Sequence, residues 1–337
     1  MRVRMVARES AEEVSDEMNN VVRIAKNAAV QAPSRFFSVL DFDHVQLEEC
    51  LELAASLKAA RAARRPHVRP LEGLHIALLF EKPSLRTRST FTIAIRELGG
   101  EVIEPPADVV LGGRETIPDV AKNIERWVTG VVIRTFAQSR IEAFAKAAPS
   151  LKVVNALTDE EHPCQALADC LTLTEQWGSL RGRTITFVGD GNNVAASLAQ
   201  AAIMLGAHVR VATPVGFELP DHVSAATRSV ARLGGTLMLT NDAVEGVSGA
   251  DAVYTDVWAS MGQESQTDTR KTVFAPFQVN AALMAHAKSD ALFMHCLPAH
   301  RGDEVTDEVI DSPASVVFDQ AENRLHTQKA LLAMLFS

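Results

Sequence analysis

Leu74-His75-Ile76-Ala77-Leu78-Leu79-Phe80 runs through Glu81-Lys82-Pro83 into Ser84-Leu85-Arg86-Thr87-Arg88. The first seven residues make an apolar run of strand length. After Arg86, the residues Phe91, Ile95 and Leu98 recur on one helical face, and Gly99-Gly100 stops the helix. A strand that feeds a helix through a short polar loop is the unit of a parallel β/α sheet. Working outward, the same alternation continues. Ile117, Val120, Ala121, Ile124, Trp127 and Val128 keep helical spacing. Val131–Arg134 and Lys152–Asn155 read as strands, with a helix over Arg140–Ala148 between them. Pro163 can open a long helix that reaches Trp177.

A second series follows. Thr184–Gly189, His208–Thr213, Thr236–Thr240, Ala252–Asp256, Ala291–Cys296 and Ser315–Phe318 are strand candidates, and Val194–Leu205 and Ala321–Phe336 read as helices. The expected fold is α/β: two domains, each a mostly parallel sheet flanked by helices. A long connecting helix joins them and the C-terminal helix crosses back. The expected division is an N-terminal extension over 1–35, a first domain over 36–178, a second over 179–318, and the crossing helix over 319–337. Sheets of this kind bind ligands beyond the carboxyl ends of their strands. Functional residues should therefore follow strands directly.

Composition narrows the chemistry. The chain has 337 residues, enough for two domains. Its net charge of −9 argues against a general nucleic-acid binder but leaves room for a local cluster of arginines. Cys50, Cys164, Cys170 and Cys296 show neither zinc spacing nor a disulfide framework. Free thiols in a reducing cytoplasm are the simplest reading. No stretch is long and apolar enough to suggest a membrane span. Residues Met1–Arg35 carry Glu9, Glu12, Glu13, Asp16 and Glu17, which are unusual in a targeting peptide. They read as an extension, partly helical at best or disordered.

The loop Ser84–Arg88 opens a helix. Unpaired backbone N–H groups and the helix dipole favour an anion there. Ser84 and Thr87 add hydroxyls, and Arg86 and Arg88 each offer a guanidinium fork suited to phosphate. The plainer reading is a capped helix with two solvated arginines. The loop lacks the glycine–lysine pattern of a P-loop. Arg134 closes a strand, where a cation suits an anion or a polarised carbonyl. His162-Pro163-Cys164-Gln165 opens the connecting helix, and its histidine and glutamine are either hydrogen-bonding groups for a ligand or simple caps. Cys164 reads as a packing residue.

Gly189-Asp190-Gly191-Asn192-Asn193-Val194 resembles a dinucleotide fingerprint, but Val194 stands where the third glycine belongs. No acidic ribose ligand follows at the expected distance. The glycines are expected to let Asn193 turn its amide toward a small polar ligand. Asp256 also follows a strand and can pair with an ammonium group, with Ser260 adding a hydrogen bond. Cys296, in His295-Cys296-Leu297-Pro298, ends another strand and either touches substrate or packs in the core. Arg324, near the start of the last helix, either reaches the anion or lies on the surface.

Together these segments resemble the ornithine carbamoyltransferase family. The match rests on Phe80–Arg88, His162–Gln165, Asp256 with Ser260-Met261-Gly262, His295–Pro298 and Ala321-Glu322-Asn323-Arg324. It covers roughly Phe36 to the C-terminus. The first two segments differ in scope from the third: the Ser-x-Arg-Thr-Arg loop and His-Pro-x-Gln are shared with related carbamoyltransferases, while Ser-Met-Gly speaks for ornithine. The resemblance implies transfer of the carbamoyl group of carbamoyl phosphate to the δ-amine of ornithine, giving citrulline and phosphate, in arginine biosynthesis or catabolism. It implies a homotrimer or multiple of trimers with sites at subunit interfaces. No metal or organic cofactor is expected, because phosphate is already a good leaving group, and the free thiols point to a cytoplasmic location.

The resemblance also implies residue roles. Ser84, Leu85 through its backbone, Arg86 and Thr87 hold the phosphate, and Arg324 completes the anion site. Arg134 binds carbamoyl phosphate, with His162 and Gln165 at its carbamoyl end. Cys296 and the Leu297 backbone lie beside the reacting centre. Asn193, Asp256, Ser260 and the Met261 backbone bind ornithine. Val110 departs from the pattern, because many relatives place there a glutamine that reaches the neighbouring subunit's site. Arg114 is the nearby residue that can compensate. The alternatives are a carbamoyltransferase acting on putrescine or an N-acylated ornithine, and a non-catalytic binding or regulatory homologue.

Overall fold

A computed structural model of the chain describes residues 34–66, 68–106, 111, 113–259 and 267–336. Val110, Ser260 and Met261 lie outside the described residues, as does the extension apart from its last two positions. Arg35 already belongs to a strand, so the first folded element starts one residue before the expected boundary.

The strands of the first half are β1 (Arg35–Phe36), β2 (His75–Phe80), β3 (Glu101–Ile103), β4 (Gly130–Arg134) and β5 (Lys152–Leu157). Between them lie α1 (His44–Ala62), α2 (Arg86–Glu97), α3 (Ile117–Ile124) and α4 (Gln138–Ala147), and α5 (Pro163–Trp177) leads out. The second half adds β6 (Thr184–Val188), β7 (His208–Ala212), β8 (Thr236–Thr240), β9 (Ala252–Thr255) and β10 (Leu292–His295). Its helices are α6 (Asn193–Met204), α7 (Asp221–Ser229), α8 (Ala243–Val247), α9 (Thr267–Phe274), α10 (Ala281–Met284), α11 (Asp307–Ile310) and the long α12 (Val317–Phe336).

Each half carries one five-stranded sheet, ordered β1-β5-β4-β2-β3 and β10-β9-β6-β7-β8. Every strand pair in them is parallel. The apolar runs of the inner strands β2, β4, β5, β6 and β9 are continuous because these strands bury both faces, while the edge strands β3 and β8 stay partly exposed. In β2, Ile76, Leu78 and Phe80 enter one core while Ala77 and Leu79 enter another. The first of these cores runs on through α5 and α6 into the second sheet, so the two halves share packed apolar surface. Helix α12 lies against α1, α2 and α5. Gly178 ends α5 at φ 76°, a left-handed conformation that glycine adopts without steric cost.

Two expectations require correction. Ser315–Phe318 is not a strand. Ser315 makes one isolated parallel bridge with Phe293, and α12 begins at Val317. The β-branched pair Val316-Val317 suggested a strand, yet both residues fill cores from a helix start. Tertiary packing overrides their local preference here. Trp127, placed on the apolar face of a helix by its spacing, lies in a turn beyond α3 and is 68% exposed.

Candidate active site

The carboxyl ends of β2, β4 and β5 face those of β6, β9 and β10, and a cavity of about 700 Å³ lies between them. Lys82, Arg134, His162, Asn193, Asp256 and Cys296 are among the residues that line it.

On the first-half side, Ser84 Oγ accepts the Thr87 N–H at 3.2 Å, from the residue before Leu85, the N-cap of α2. Thr87 Oγ1 accepts Arg324 Nη2 at 2.8 Å. Arg324 Nη1 donates to Gln165 Oε1 at 2.5 Å, and Gln165 Nε2 donates to Asp169 Oδ1 at 2.8 Å. Arg324 is buried and thereby joins α2, α5 and α12. Arg86 is half-buried, and Leu85 presents an exposed side chain beside it. Arg134, at the end of β4, is buried with its Nε unpartnered. Neither the Arg86 nor the Arg134 guanidinium has a hydrogen bond or ion pair to any described residue.

Burial, and then the neighbouring guanidinium groups, lower the proton affinity of Arg134 to about 10. It therefore remains a cation at neutral pH. Burial, with Arg324, Arg134 and Arg86 behind it, drives His162 well below its usual range. That imidazole is neutral and can donate one N–H. Its backbone N–H donates to Ser197 Oγ at 2.9 Å, and its Nδ1 has no partner.

Arg88, read from sequence as a second anion ligand, is not part of this group. Its Nε pairs with Glu104 at 2.6 Å and its guanidinium lies over the Phe80 ring. Cys164 is fully buried and its thiol donates to the Asn155 carbonyl at 3.4 Å, the packing role expected for it.

On the second-half side, the polar atoms are tied to one another. The Cys296 thiol donates to Asp256 Oδ1 at 3.0 Å, and Asn192 Nδ2 donates to Asp256 Oδ2 at 2.9 Å. Burial, then the Asp256 carboxylate, push the Cys296 thiol well above its usual range, so it stays protonated. Asn193 Nδ2 donates to the Thr158 carbonyl at 2.6 Å, across the cleft. Its amide thus has a protein partner from the other half. The Gly191 Cα allows close contact with residues 217–219: an added Cβ would lie 2.5 Å from the Leu219 nitrogen. This glycine serves loop packing, not the approach of a pyrophosphate.

Leu297 adopts a left-handed φ of 56° before a cis bond to Pro298. Its N–H donates to His295 Nδ1 at 2.8 Å, and His295 Nε2 sits 3.2 Å from Glu304 Oε1. The accepting Nδ1 places the ring proton on Nε2. The donor atoms of Asp256, His295 and Cys296 lie within 4.8 Å of one another, a spacing that would suit a metal. Both His295 nitrogens are already committed and the thiol is protonated, so the cluster fits a hydrogen-bonded wall better than a ligand set.

Sequence reasoning missed three groups here. Lys82 is buried, pairs with Asp159 at 2.5 Å and lies over the Phe136 ring. Its place before Pro83 in the quoted loop was the available signal. Arg270 donates to Asp190 Oδ2 at 2.7 Å and to the Trp258 carbonyl at 2.6 Å, and its guanidinium lies over the rings of Phe217 and Phe274. Glu304 supports His295. Nothing local in the sequence marks Arg270 or Glu304.

Comparison with known proteins places the chain beside one family. Residues 34–175 match the family description "Aspartate/ornithine carbamoyltransferase, carbamoyl-P binding domain", and residues 181–335 match "Aspartate/ornithine carbamoyltransferase, Asp/Orn binding domain". The chain is 51% identical over 297 residues to ornithine carbamoyltransferase of Thermococcus kodakarensis, covering 88% of this chain and 94% of that one. It is 49% identical over 301 residues to ornithine carbamoyltransferase of Parafrankia sp., covering 88% and 95%. The solved structure of ornithine carbamoyltransferase from Pyrococcus furiosus superposes with a TM-score of 0.86 at 48% identity, covering 89% of this chain and 96% of that one. Among the described residues no helix is long and apolar enough to cross a membrane.

Proposed function

The chain belongs to the aspartate/ornithine carbamoyltransferase family, and from that premise we infer that it transfers the carbamoyl group of carbamoyl phosphate to the δ-amine of ornithine. The products are citrulline and phosphate. The observation that carries this reading is the set of three guanidinium groups, Arg86, Arg134 and Arg324, gathered around one helix start with a neutral His162. Such a group attracts a phosphorylated anion and holds donors ready for an oxyanion.

In this reading Ser84, the Leu85 backbone, Arg86, Thr87 and Arg324 hold the phosphate. Arg134 and His162 donate to the carbamoyl oxygen as the tetrahedral intermediate forms. Gln165 orients Arg324, which adds a supporting role to the carbamoyl contact implied by the family. Asn193, Asp256, Ser260 and the Met261 backbone bind the amino-acid end of ornithine, and Cys296 and Leu297 flank the reacting centre. The neutral δ-amine attacks the carbonyl carbon. The intermediate collapses by breaking the bond to phosphate, which leaves as a stable anion and takes up a proton. Holding the two substrates in line supplies much of the acceleration.

The division of labour follows the two halves: residues 36–178 take carbamoyl phosphate, 179–318 take ornithine, and 319–337 cross back. A homotrimer with shared sites fits the exposed Leu85 beside the phosphate loop. The decisive experiment is a citrulline assay with carbamoyl phosphate and, in turn, ornithine, putrescine and N-acetylornithine. Product is expected from ornithine alone. Failure with ornithine refutes the reading, and product from putrescine reassigns the acceptor.

A further inference from the structure

Resting on that reading, we propose that Asp169 is a positioning residue of the anion site: through the Gln165 amide it fixes the Arg324 guanidinium, and its charge tunes how strongly the site attracts an anion. Asp169 lies on α5 and is fully buried. Its Oδ1 accepts Gln165 Nε2 at 2.8 Å and Gln320 Nε2 at 2.6 Å, while Oδ2 has no partner.

Donor chemistry makes the chain of contacts directional. A guanidinium can only donate, so the Gln165 atom facing Arg324 must be its carbonyl oxygen. The Gln165 amide nitrogen must then find an acceptor, and Asp169 provides it. Without Asp169 that buried N–H group is orphaned, and the side chain leaves for another partner. Arg324 then retains Thr87 alone.

The same carboxyl reaches the opposite wall. Gln320 Nε2 also donates to the Tyr254 hydroxyl at 2.9 Å, and Gln320 Oε1 accepts the His295 N–H at 3.1 Å. One buried group therefore ties α5 and α12 to the ends of β9 and β10. The titratable groups facing Asp169 are Arg324 from α12, Tyr254 from β9, Cys296 after β10 and Cys170 on its own helix.

Burial pushes the Asp169 carboxyl up to about 7, against the pull of the Gln165 and Gln320 hydrogen bonds and Arg324. An anion bound at Arg324 adds negative charge nearby and favours the protonated form further. Binding then takes up a proton, so affinity falls as pH rises through that region.

The test uses the full chain with Asp169→Ala and Asp169→Asn. It measures citrulline formation from pH 6 to 8.5 and the thermal midpoint. Asp169→Ala is expected to raise KM for carbamoyl phosphate about tenfold, the scale of a lost hydrogen bond to a charged group, while KM for ornithine changes less than about twofold. Asn keeps an acceptor oxygen for both glutamines. It should return KM to within about threefold of the parent and flatten the rise of that KM between pH 6 and 8. Comparison with the parent cancels the titration of carbamoyl phosphate itself.

Parent-like KM and pH profile in both variants would overturn the inference. So would an equal rise in both KM values with a lowered thermal midpoint, which marks a general structural role. Should the Ala variant fail to fold, an unflattened profile in the Asn variant overturns it alone. Failure of the parent to make citrulline overturns the underlying reading instead.

Discussion

The two walls of the cleft are built on opposite electrostatic plans. The first-half wall gathers Arg86, Arg134 and Arg324 beside a neutral His162, with Arg86 and Arg134 unpaired among the described residues. The second-half wall ties its ligand-facing polar groups to protein partners: Cys296 and Asn192 to Asp256, Asn193 to Thr158, and Leu297 to His295. Unpaired buried cations are costly to the free protein and are relieved by a bound anion. A saturated wall costs little and offers fixed shape. The contrast teaches that one wall is made to bind charge and the other to select an acceptor.

The largest expected effect comes from breaking the charged wall. Arg134→Met should lower kcat/KM about 1000-fold, the scale of losing a preorganised oxyanion donor. The thermal midpoint without ligand should be equal to or above the parent's, because the substitution removes an unpaired buried cation. A midpoint several degrees lower would show that Arg134 is held by partners, and the contrast between the walls would collapse.

Breaking the saturated wall should act the other way on stability. Asp256→Ala strands the Asn192 amide and the Cys296 thiol. It should destabilise the folded protein by about 1–3 kcal/mol, the penalty for unsatisfied buried groups. KM for ornithine should rise roughly ten- to hundredfold, matching the loss of a hydrogen bond to a charged group. Calorimetric binding of carbamoyl phosphate should be unchanged, and a weakened value there would mean that the two walls are not separable.

Legibility in the sequence follows the range of the interactions. The inner strands could be read because they bury both faces, and Arg134, Asp256 and Cys296 because they end or directly follow strands; the short edge strands β1 and β3 carry too little apolar sequence to be seen. Arg86 and Arg88 looked equivalent on the page. Two residues turn a helix by roughly 200°, so the second arginine faces Glu104 on the far side. The contacts of Arg324 with Thr87 and Gln165 join α12 to α2 and α5, and no local pattern could reveal them. The same holds for Arg270 and Glu304, whose partners are brought in by tertiary packing. Ser315–Phe318 misled because its β-branched residues pack a core from a helix start.

The smallest effect sharpens the role of the acceptor wall. Cys296 is a protonated thiol, raised by burial and by the Asp256 carboxylate it donates to. A thiol so placed cannot serve as the base that frees the ornithine δ-amine, whose resting value lies near that of lysine, about 10.4. Cys296→Ser keeps a donor to Asp256, so kcat/KM should fall about tenfold or less, within the range of one neutral hydrogen bond. The basic-side rise of kcat/KM with pH should keep its midpoint, since it reports the amine and not the thiol. If the serine variant lost that rise, Cys296 would be the titrating group and the saturated wall would contain a base. If it kept the rise at the parent's midpoint, the wall's work would be to hold the amine in line, with the proton leaving before attack.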